Sequence, residues 1–379
     1  MKFVISTQEL NYLLNKCQPI VAGKPTTAIL GNILIEAVNN ELILTACDNT
    51  IGIRCFTEAK ILEEGVTTLP ARTFGPLIRE LTAINVEIST NENHITQVKA
   101  DSSRFKLNGM DRNGFPHLPD LAGVPFLTLP QKEFKEVINR TFFAISRDDK
   151  RHELMGLSFT LNEGRATFTG TDGKKLARSF VSYPVASELQ GNYILPAKAV
   201  DEVQKCLEDE GEVKIYFLSD KIAFQTANTL VVAKLVSGEY PDVDQVIPQQ
   251  ISTHVVLHRQ ELMTLLRQVS LFRTDTSHSA CFSFGDGQLT LFANTMELGE
   301  GKVSMPVDWR APSMEIAFNP TVFLDILKHC KNETVTLGLI DQFNPGILSD
   351  TSETSVPEPC SNPLFLVMPM RLANENSDA

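Results

Sequence analysis

One apolar pattern recurs three times along this chain, and it limits the possible folds more than any other feature of the sequence. The copies begin at Phe3, Leu127 and Val255, at nearly equal intervals and with identical spacing between their members. The first two positions of each copy have strand period and the later four have helix period, which predicts a short strand followed by an amphipathic helix. The complete sets are Phe3, Ile5, Leu10, Leu13, Leu14 and Cys17, then Leu127, Leu129, Phe134, Val137, Ile138 and Thr141, then Val255, Leu257, Leu262, Leu265, Leu266 and Val269.

A second helical pattern follows each copy at a similar distance. Its members are Phe74, Leu77, Ile78 and Leu81, then Val200, Val203 and Leu207, then Phe323, Ile326, Leu327 and Cys330. Thr141 in the first pattern and Gln204 in the second are the polar exceptions. Chance is enough to explain any single match between two of these helical patterns, because every helix that faces a core has this spacing. Three copies in step indicate duplication and predict domains at residues 1–122, 126–249 and 253–372.

Strand-like segments fill the space between the helices. Pairs of them flank short polar turns, at residues 33–36 and 42–45, 157–160 and 166–169, and 281–284 and 289–292. These pairs predict hairpins. Pro70, Pro196 and Pro320 stand where the second helices should begin, since proline at a helix start loses no hydrogen bond. The sequence therefore predicts an α+β fold of three repeated domains, each with two helices backed by antiparallel β-sheets.

The charge distribution bears on nucleic-acid binding. The chain has 34 Lys+Arg and 46 Asp+Glu, a net charge of −12, which by itself argues against a nucleic-acid partner. The six helix windows (residues 7–21, 71–83, 130–146, 196–209, 258–272 and 319–332) nevertheless hold slightly more basic than acidic residues. If the six helices shared one surface, that surface could attract phosphate. An ordinary solvated helix face accounts for the same charges.

Sequence features also bear on cellular location. No signal peptide and no apolar run of membrane-spanning length occurs. The seven cysteines are scattered, without the spacing of a metal or redox motif, as in proteins of a reducing compartment. These features predict a soluble cytoplasmic protein.

Motifs for catalysis or cofactor binding are not recognisable in this chain. The segment 170–175 lacks the spacing of a phosphate-binding loop and is better explained as a turn. His254 and His258 fall on a strand and at a helix start, which argues against a metal pair. Asp148 and Asp149 are neighbours on the chain and suit a loop better than an acid/base pair. We therefore predict a binding or architectural protein without a cofactor; a repeat-containing DNA-processing enzyme with an unrecognised site and a peptide-binding adaptor remain as alternatives.

Short segments along the whole chain carry a family resemblance. They are residues 23–25, 29–32, 69–72, 103–105, 171–173, 234–236, 240–242 and 367–372. In this order and on a threefold repeat, the chain resembles the bacterial sliding clamps, the β subunits of DNA polymerase III. The resemblance implies a non-catalytic processivity factor, a head-to-tail homodimer whose six domains form a ring around duplex DNA. It implies as partners the polymerase III catalytic subunit, the clamp loader and other proteins with a clamp-binding motif.

The resemblance and the helix placement together suggest DNA contacts. Positions that match family contacts are Lys24, Arg72 and Lys198, and helix placement adds Lys132, Lys135, Arg140, Lys205 and Arg267. Such contacts to phosphate would be independent of sequence and would permit sliding. Asp148 stands where the family often has a neutral polar contact residue.

The resemblance also implies a hydrophobic peptide groove between the second and third domains. Matching positions are Leu154, Thr171, Gly173, Leu176, Pro241, Val246, Asn319, Met368, Pro369, Met370, Arg371 and Leu372. Four positions depart from the family pattern and predict a changed peptide preference: Lys175 and Gln245 replace arginines, Ser277 an aromatic residue and Val322 a tyrosine.

Two further features follow from the same resemblance. Phe105 and Leu107 of the first domain should meet Leu271 and Phe272 of the third domain of a second copy. Residues 373–379 extend past the usual carboxyl end, and their polar, acidic composition predicts a disordered tail.

Overall fold

The structure is a computed structural model that describes residues 1–21, 23, 25, 27–148, 150–162, 164–182, 189–272, 274, 278–350 and 362–371. Its first part contains β1 (Lys2–Ser6), α1 (Thr7–Cys17), β2 (Asn32–Val38), β3 (Glu41–Cys47), β4 (Ile51–Glu58), β5 (Lys60–Glu63), β6 (Gly65–Pro70), α2 (Ala71–Arg79), β7 (Asn85–Thr90), β8 (Ile95–Ala100) and β9 (Ser103–Asn108).

The middle part contains β10 (Phe126–Pro130), α3 (Gln131–Thr141), β11 (Gly156–Asn162), β12 (Arg165–Thr171), β13 (Lys175–Ser182), β14 (Gly191–Pro196), α4 (Ala197–Cys206), β15 (Glu212–Phe217), β16 (Lys221–Gln225) and β17 (Thr229–Lys234). The last part contains β18 (Thr253–His258), α5 (Arg259–Val269), β19 (Ala280–Gly285), β20 (Gln288–Thr295), β21 (Gly299–Pro306), β22 (Met314–Phe318), α6 (Pro320–Lys328), β23 (Thr334–Leu339), β24 (Gly346–Ser349) and β25 (Leu364–Val367).

The repeated strand–helix units are confirmed. The pairs β1–α1, β10–α3 and β18–α5 follow the three copies of the first pattern, and α2, α4 and α6 follow the second. Thr141, the polar exception, is fully buried, and its hydroxyl donates to the carbonyl of Val137 at 2.7 Å, which satisfies its hydrogen-bonding need. Side chains cap helices α1, α5 and α6: Ser6 accepts from the amide of Glu9, His258 from the amide of Glu261, and Asn319 from the amide of Thr321.

The second helices end earlier than their apolar patterns predict, which corrects those boundaries. Leu81, Leu207 and Cys330 all lie beyond the last helical residue. Leu207 and Cys330 are nevertheless buried. An apolar side chain just past a helix end can still face the core, so the spacing alone does not locate the end.

The predicted hairpins are confirmed and belong to four antiparallel sheets. Their central pairs include Ile35 with Leu44, Phe159 with Phe168, and Phe282 with Leu291. The sheet orders are β5-β1-β7-β8-β9, β10-β15-β16-β17-β4-β3-β2-β6, β14-β11-β12-β13-β25-β24-β23-β18 and β21-β20-β19-β22. The α+β class with two helices per repeat and antiparallel sheets is thereby confirmed.

Strand pairing joins neighbouring repeats. The chain forms two compact units, one mainly from Met1–Lys135 and Leu195–Val236, the other mainly from residues 136–182 and the described residues after Val236. In the first unit β17 pairs with β4, and in the second β25 pairs with β13. Each unit therefore contains one sheet that continues from one repeat into the next.

The described residues lack two kinds of feature. None of the helices there has both the length and the apolar character that crossing a membrane requires. The same residues contain no group of three or more His, Cys, Asp or Glu side chains placed to hold a metal ion.

Candidate nucleic-acid and peptide-binding sites

The basic residues predicted to contact DNA differ in how far their charges are already compensated. Arg72, Lys132 and Arg267 are exposed on α2, α3 and α5. Among the described residues, none of these three has an ion-pair partner. Their charges therefore remain available to a phosphate. Lys24 lies outside the described residues, and Asp148 is exposed in a bend.

Three of the predicted lysines carry an acidic partner. The distances from ammonium to carboxylate are 3.1 Å for Lys135 and Asp209, 2.6 Å for Lys198 and Asp48, and 2.8 Å for Lys205 and Glu202. Each partner offsets part of the attraction of its lysine for phosphate.

Asp48 illustrates how such a pair is organised. Burial alone would raise the pKa of its carboxyl group, yet the pKa is lowered, because Lys198 and the amides of Thr50 and Ile51 donate hydrogen bonds to the carboxylate. Asp48 thus stays ionised beside the lysine.

Arg140 is placed differently from the other predicted contacts. Only 15% of its side chain is exposed, and its guanidinium pairs with Glu136 at 2.9 Å and with Asp350 at 3.5 Å. The Asp350 side chain is fully buried and also accepts from the amides of Lys331 and Asn332. This geometry favours a structural role for Arg140, and its DNA contact stays a prediction.

The second compact unit contains a groove with a volume of about 180 Å³. It lies between the turn that joins β12 and β13, the segment after Gly238 and the end of β25. Seven predicted peptide contacts line it: Leu154, Thr171, Gly173, Leu176, Pro241, Val246 and Met368. The structure therefore brings together residues that are far apart in sequence into one concave and largely apolar site.

Local hydrogen bonds fix the shape of this groove. The Thr171 hydroxyl donates to the carbonyl of Lys175 at 2.7 Å and accepts from the amide of Gly173. Gly173 has a φ of +81°, which favours glycine. On the other side, the Met368 amide donates to the carbonyl of Lys174 at 2.9 Å and holds the end of β25 against this turn.

The other predicted groove residues lie outside this lining. Met370 forms a bridge with Ala317, and Asn319 caps α6 two residues later. Pro369 is half-buried and Arg371 is exposed beside them. Leu372 and Ser277 lie outside the described residues.

Sequence reasoning missed four lining residues: Arg151, Asp242, Val243 and Leu366. Val243 and Leu366 could have been found as apolar residues next to predicted contacts. Arg151 and Asp242 carry no comparable signal, because loop charges are usually solvated.

Comparisons with known proteins cover almost the entire chain. Family models of the DNA polymerase III beta subunit match its N-terminal domain at residues 1–119, its central domain at 128–242 and its C-terminal domain at 244–369. The beta sliding clamp of Chlamydia pneumoniae is 44% identical over 375 residues, which cover 99% of this chain and 100% of that protein. The chain belongs to the beta sliding clamp family.

Relatives with lower identity agree with this assignment. The beta sliding clamp of Staphylococcus aureus is 28% identical and covers 98% of this chain and 99% of its own length. A crystal structure of a sliding clamp from Pseudomonas aeruginosa bound to griselimycin has 27% identity and a TM-score of 0.92, and the match covers 98% of this chain and 100% of that one. Beta sliding clamps are non-catalytic processivity factors of DNA polymerase.

The departures from the usual sliding clamp pattern have defined surroundings. Lys175 lines the groove, and its ammonium lies 3.2 Å from Asp172 and 3.8 Å from Asp325. The Gln245 amide donates to Asp242, and Val322 is buried in α6. Two acidic neighbours therefore lie within 4 Å of the Lys175 ammonium group.

The predicted dimer contacts of this sliding clamp divide into exposed and buried residues. Phe105 is 39% exposed and lines a cavity of about 560 Å³ with Arg72, while Leu107 is buried. Leu271 is 75% exposed. Phe272 packs against the core of its own unit, so close to Gly301 that an added Cβ there would lie 2.4 Å from its ring. Leu271 is therefore better placed than Phe272 to contact a second copy.

Proposed function

We propose that this protein is a DNA sliding clamp with three domains, at residues 1–122, 126–249 and 253–372. Two copies close head to tail into a ring of six domains around duplex DNA, and the ring tethers the replicative polymerase in the cytoplasm. The observation that carries the proposal is the match of the whole chain to beta sliding clamps. The threefold repeat supports it, because a ring of equal wedges needs repeated domains.

The charges on the helices suit a clamp that slides. Arg72, Lys132 and Arg267 offer uncompensated charge, whereas Lys135, Lys198 and Lys205 share theirs with acidic partners. Contacts of this kind to phosphate are weak and independent of base sequence. A closed ring is held by topology, so it does not need tight binding.

Two sheet edges support the head-to-tail dimer. The strands β9 and β21 each end a sheet and lack a partner on one side among the described residues. Exposed Arg104 and Lys106 lie on β9, exposed Glu300 lies on β21, and exposed Glu297 lies in the turn that precedes it. Pairing these edges between two copies would satisfy their backbone groups and bring opposite charges together.

The groove of the second unit is the proposed docking site for short peptides of the polymerase III catalytic subunit, the clamp loader and other proteins with a clamp-binding motif. Its apolar lining suits anchor side chains, and the flexible thioether of Met368 can adapt to several of them. The P. aeruginosa clamp is bound to griselimycin. If this compound also binds here, it should compete with a labelled peptide from the polymerase.

Retention on DNA of two topologies tests the proposal. The protein is loaded onto nicked circular DNA with a matching clamp loader and ATP, and the circle is then linearised. A ring should remain on the circle and leave through the free ends of the linear form. Equal retention on both forms would instead indicate ordinary binding and would contradict encirclement.

A further inference from the structure

The first compact unit contains a concave site at the position that the repeat makes equivalent to the peptide groove. This cavity has a volume of about 270 Å³ and lies beside the turn between β3 and β4 and the end of β17. The Lys234 amide donates to the carbonyl of Thr50 at 2.8 Å, as the Met368 amide does to that of Lys174 at 2.9 Å. Lys234 therefore occupies the position of Met368 in the repeat.

The apolar anchors of the peptide groove are absent from this equivalent cavity. Gly52 pairs with Val232 in the first unit, and Leu176 pairs with Leu366 in the second. Gly52 is therefore the counterpart of Leu176 in the repeat. A Cβ added to Gly52 would lie 2.5 Å from the side chain of Leu118. Leu118 thus fills the space beside Gly52, and the site has no room there for the apolar anchor of a partner.

Positive charge surrounds the mouth of this cavity instead. Lys221 and Lys234 are direct partners in the β16–β17 ladder, and exposed His117 lies on the lining beside them. Within the part of the chain that the structure describes, neither lysine has an ion-pair partner. The one carboxylate on the lining, that of Asp48, already pairs with Lys198. Like charges directly opposite each other in a sheet are unfavourable, and a bound anion would remove that repulsion.

We propose that this site, with Lys221 and Lys234 as its main contacts, docks an acidic peptide segment of a partner protein. Charge complementarity identifies the occupant, because two directly paired lysines without an ion-pair partner among the described residues line one cavity, in a chain with a net charge of −12. Single-stranded nucleic acid fits less well, because its sites use aromatic side chains for base stacking, and no aromatic ring other than His117 lines this cavity. The site is additional to the apolar groove and does not depend on DNA encirclement.

Binding of a labelled acidic peptide to the full chain tests the proposal. The probe is a fluorescein-labelled hexaglutamate peptide, measured by fluorescence polarisation at low ionic strength, with a ten-residue oligothymidylate in parallel. The variant K221Q/K234Q should weaken peptide binding about tenfold. The control K60Q/K214Q changes the net charge equally at sites outside the cavity and should bind like the unmodified protein.

Several outcomes would overturn this inference. They are equal peptide affinity of K221Q/K234Q and the unmodified protein, equal loss in both double variants, and no measurable peptide binding. Tighter binding of the oligothymidylate, lost in K221Q/K234Q alone, would assign the site to nucleic acid. Retention on circular DNA, measured on the same preparations, reports the clamp function separately.

Discussion

Arg140 has the residue type and helix position of a DNA contact, but its guanidinium faces the fully buried carboxylate of Asp350. Removing Arg140 leaves the buried carboxylate of Asp350 without its cationic partner, and removing Asp350 leaves the largely buried guanidinium with Glu136 as its ion-pair partner. We expect Asp350→Ala and Arg140→Gln to lower the free energy of unfolding by about 3–5 kcal/mol. Urea unfolding measures this change, and exposed Lys132→Gln on the same helix should shift it by less than about 0.5 kcal/mol.

The same variants separate structure from DNA binding. If Arg140 is structural, Lys132→Gln should weaken electrostatic binding to linear DNA more than Arg140→Gln does. A loss of DNA affinity in Arg140→Gln at unchanged stability would instead support the DNA contact that the sequence predicts for Arg140.

His329 should make stability depend on pH. Its ring stacks on Phe143 with 3.9 Å between centroids, and burial lowers its pKa below the ordinary value of 6.5. Because the folded protein resists protonation at this site, the free energy of unfolding should fall as the pH drops from about 6.5 towards the lower folded-state pKa. His329→Gln should reduce this dependence in urea unfolding at several pH values, whereas exposed His254→Gln should preserve it. An unchanged pH profile in His329→Gln would contradict the assignment.

At the scale of elements, Asn319 has two candidate roles at the start of α6. Its carbonyl oxygen caps the helix by accepting from the amide of Thr321 at 2.9 Å, and family resemblance places it in the peptide groove. Asn319→Ala should lower the free energy of unfolding by about 1 kcal/mol, and Asn319→Ser should retain most of the cap. Peptide binding distinguishes the roles: reduced affinity in Asn319→Ser at normal stability indicates a direct contact, and normal affinity contradicts it.

The proposed pairing of β9 with β21 makes a prediction about dimer formation. Leu271→Asp would place a charge where an exposed apolar side chain should meet Phe105 of a second copy, so we expect a monomer at low concentration. Light scattering gives the mass, and Met263→Leu, a buried volume-conserving change in the same helix region, serves as a control for folding. A dimer mass for folded Leu271→Asp would contradict the interface. Phe272→Ala should also favour the monomer, but it removes packing within its own unit.

At the scale of the whole molecule, topology and electrostatics should be separable. The variant R72Q/K132Q/R267Q removes three uncompensated charges. The slope of its log affinity for linear DNA against log salt concentration should therefore become shallower by roughly one for each lost phosphate contact. Once loaded on closed circles, the variant should persist as long as the unmodified protein, because only ring opening releases it. Rapid loss from closed circles would show that these contacts, and not closure, hold the protein on DNA.

The sequence by itself determined the repeat, the element types and the family. Apolar spacing identified the strand–helix units around Phe3, Leu127 and Val255, because core-facing positions must follow the geometry of each element. It located helix ends less well, as Leu207 and Cys330 show, since burial continues past the last helical residue.

Only the tertiary structure decided which groups meet. It gave Arg140 a buried acidic partner, turned Phe272 towards its own core and gathered Leu154, Leu176 and Met368 into one groove. It also placed Lys221 opposite Lys234 beside a cavity that Leu118 fills in part. The physical reason is that local spacing records burial along one element, whereas charge compensation and cavity shape depend on side chains from distant parts of the chain.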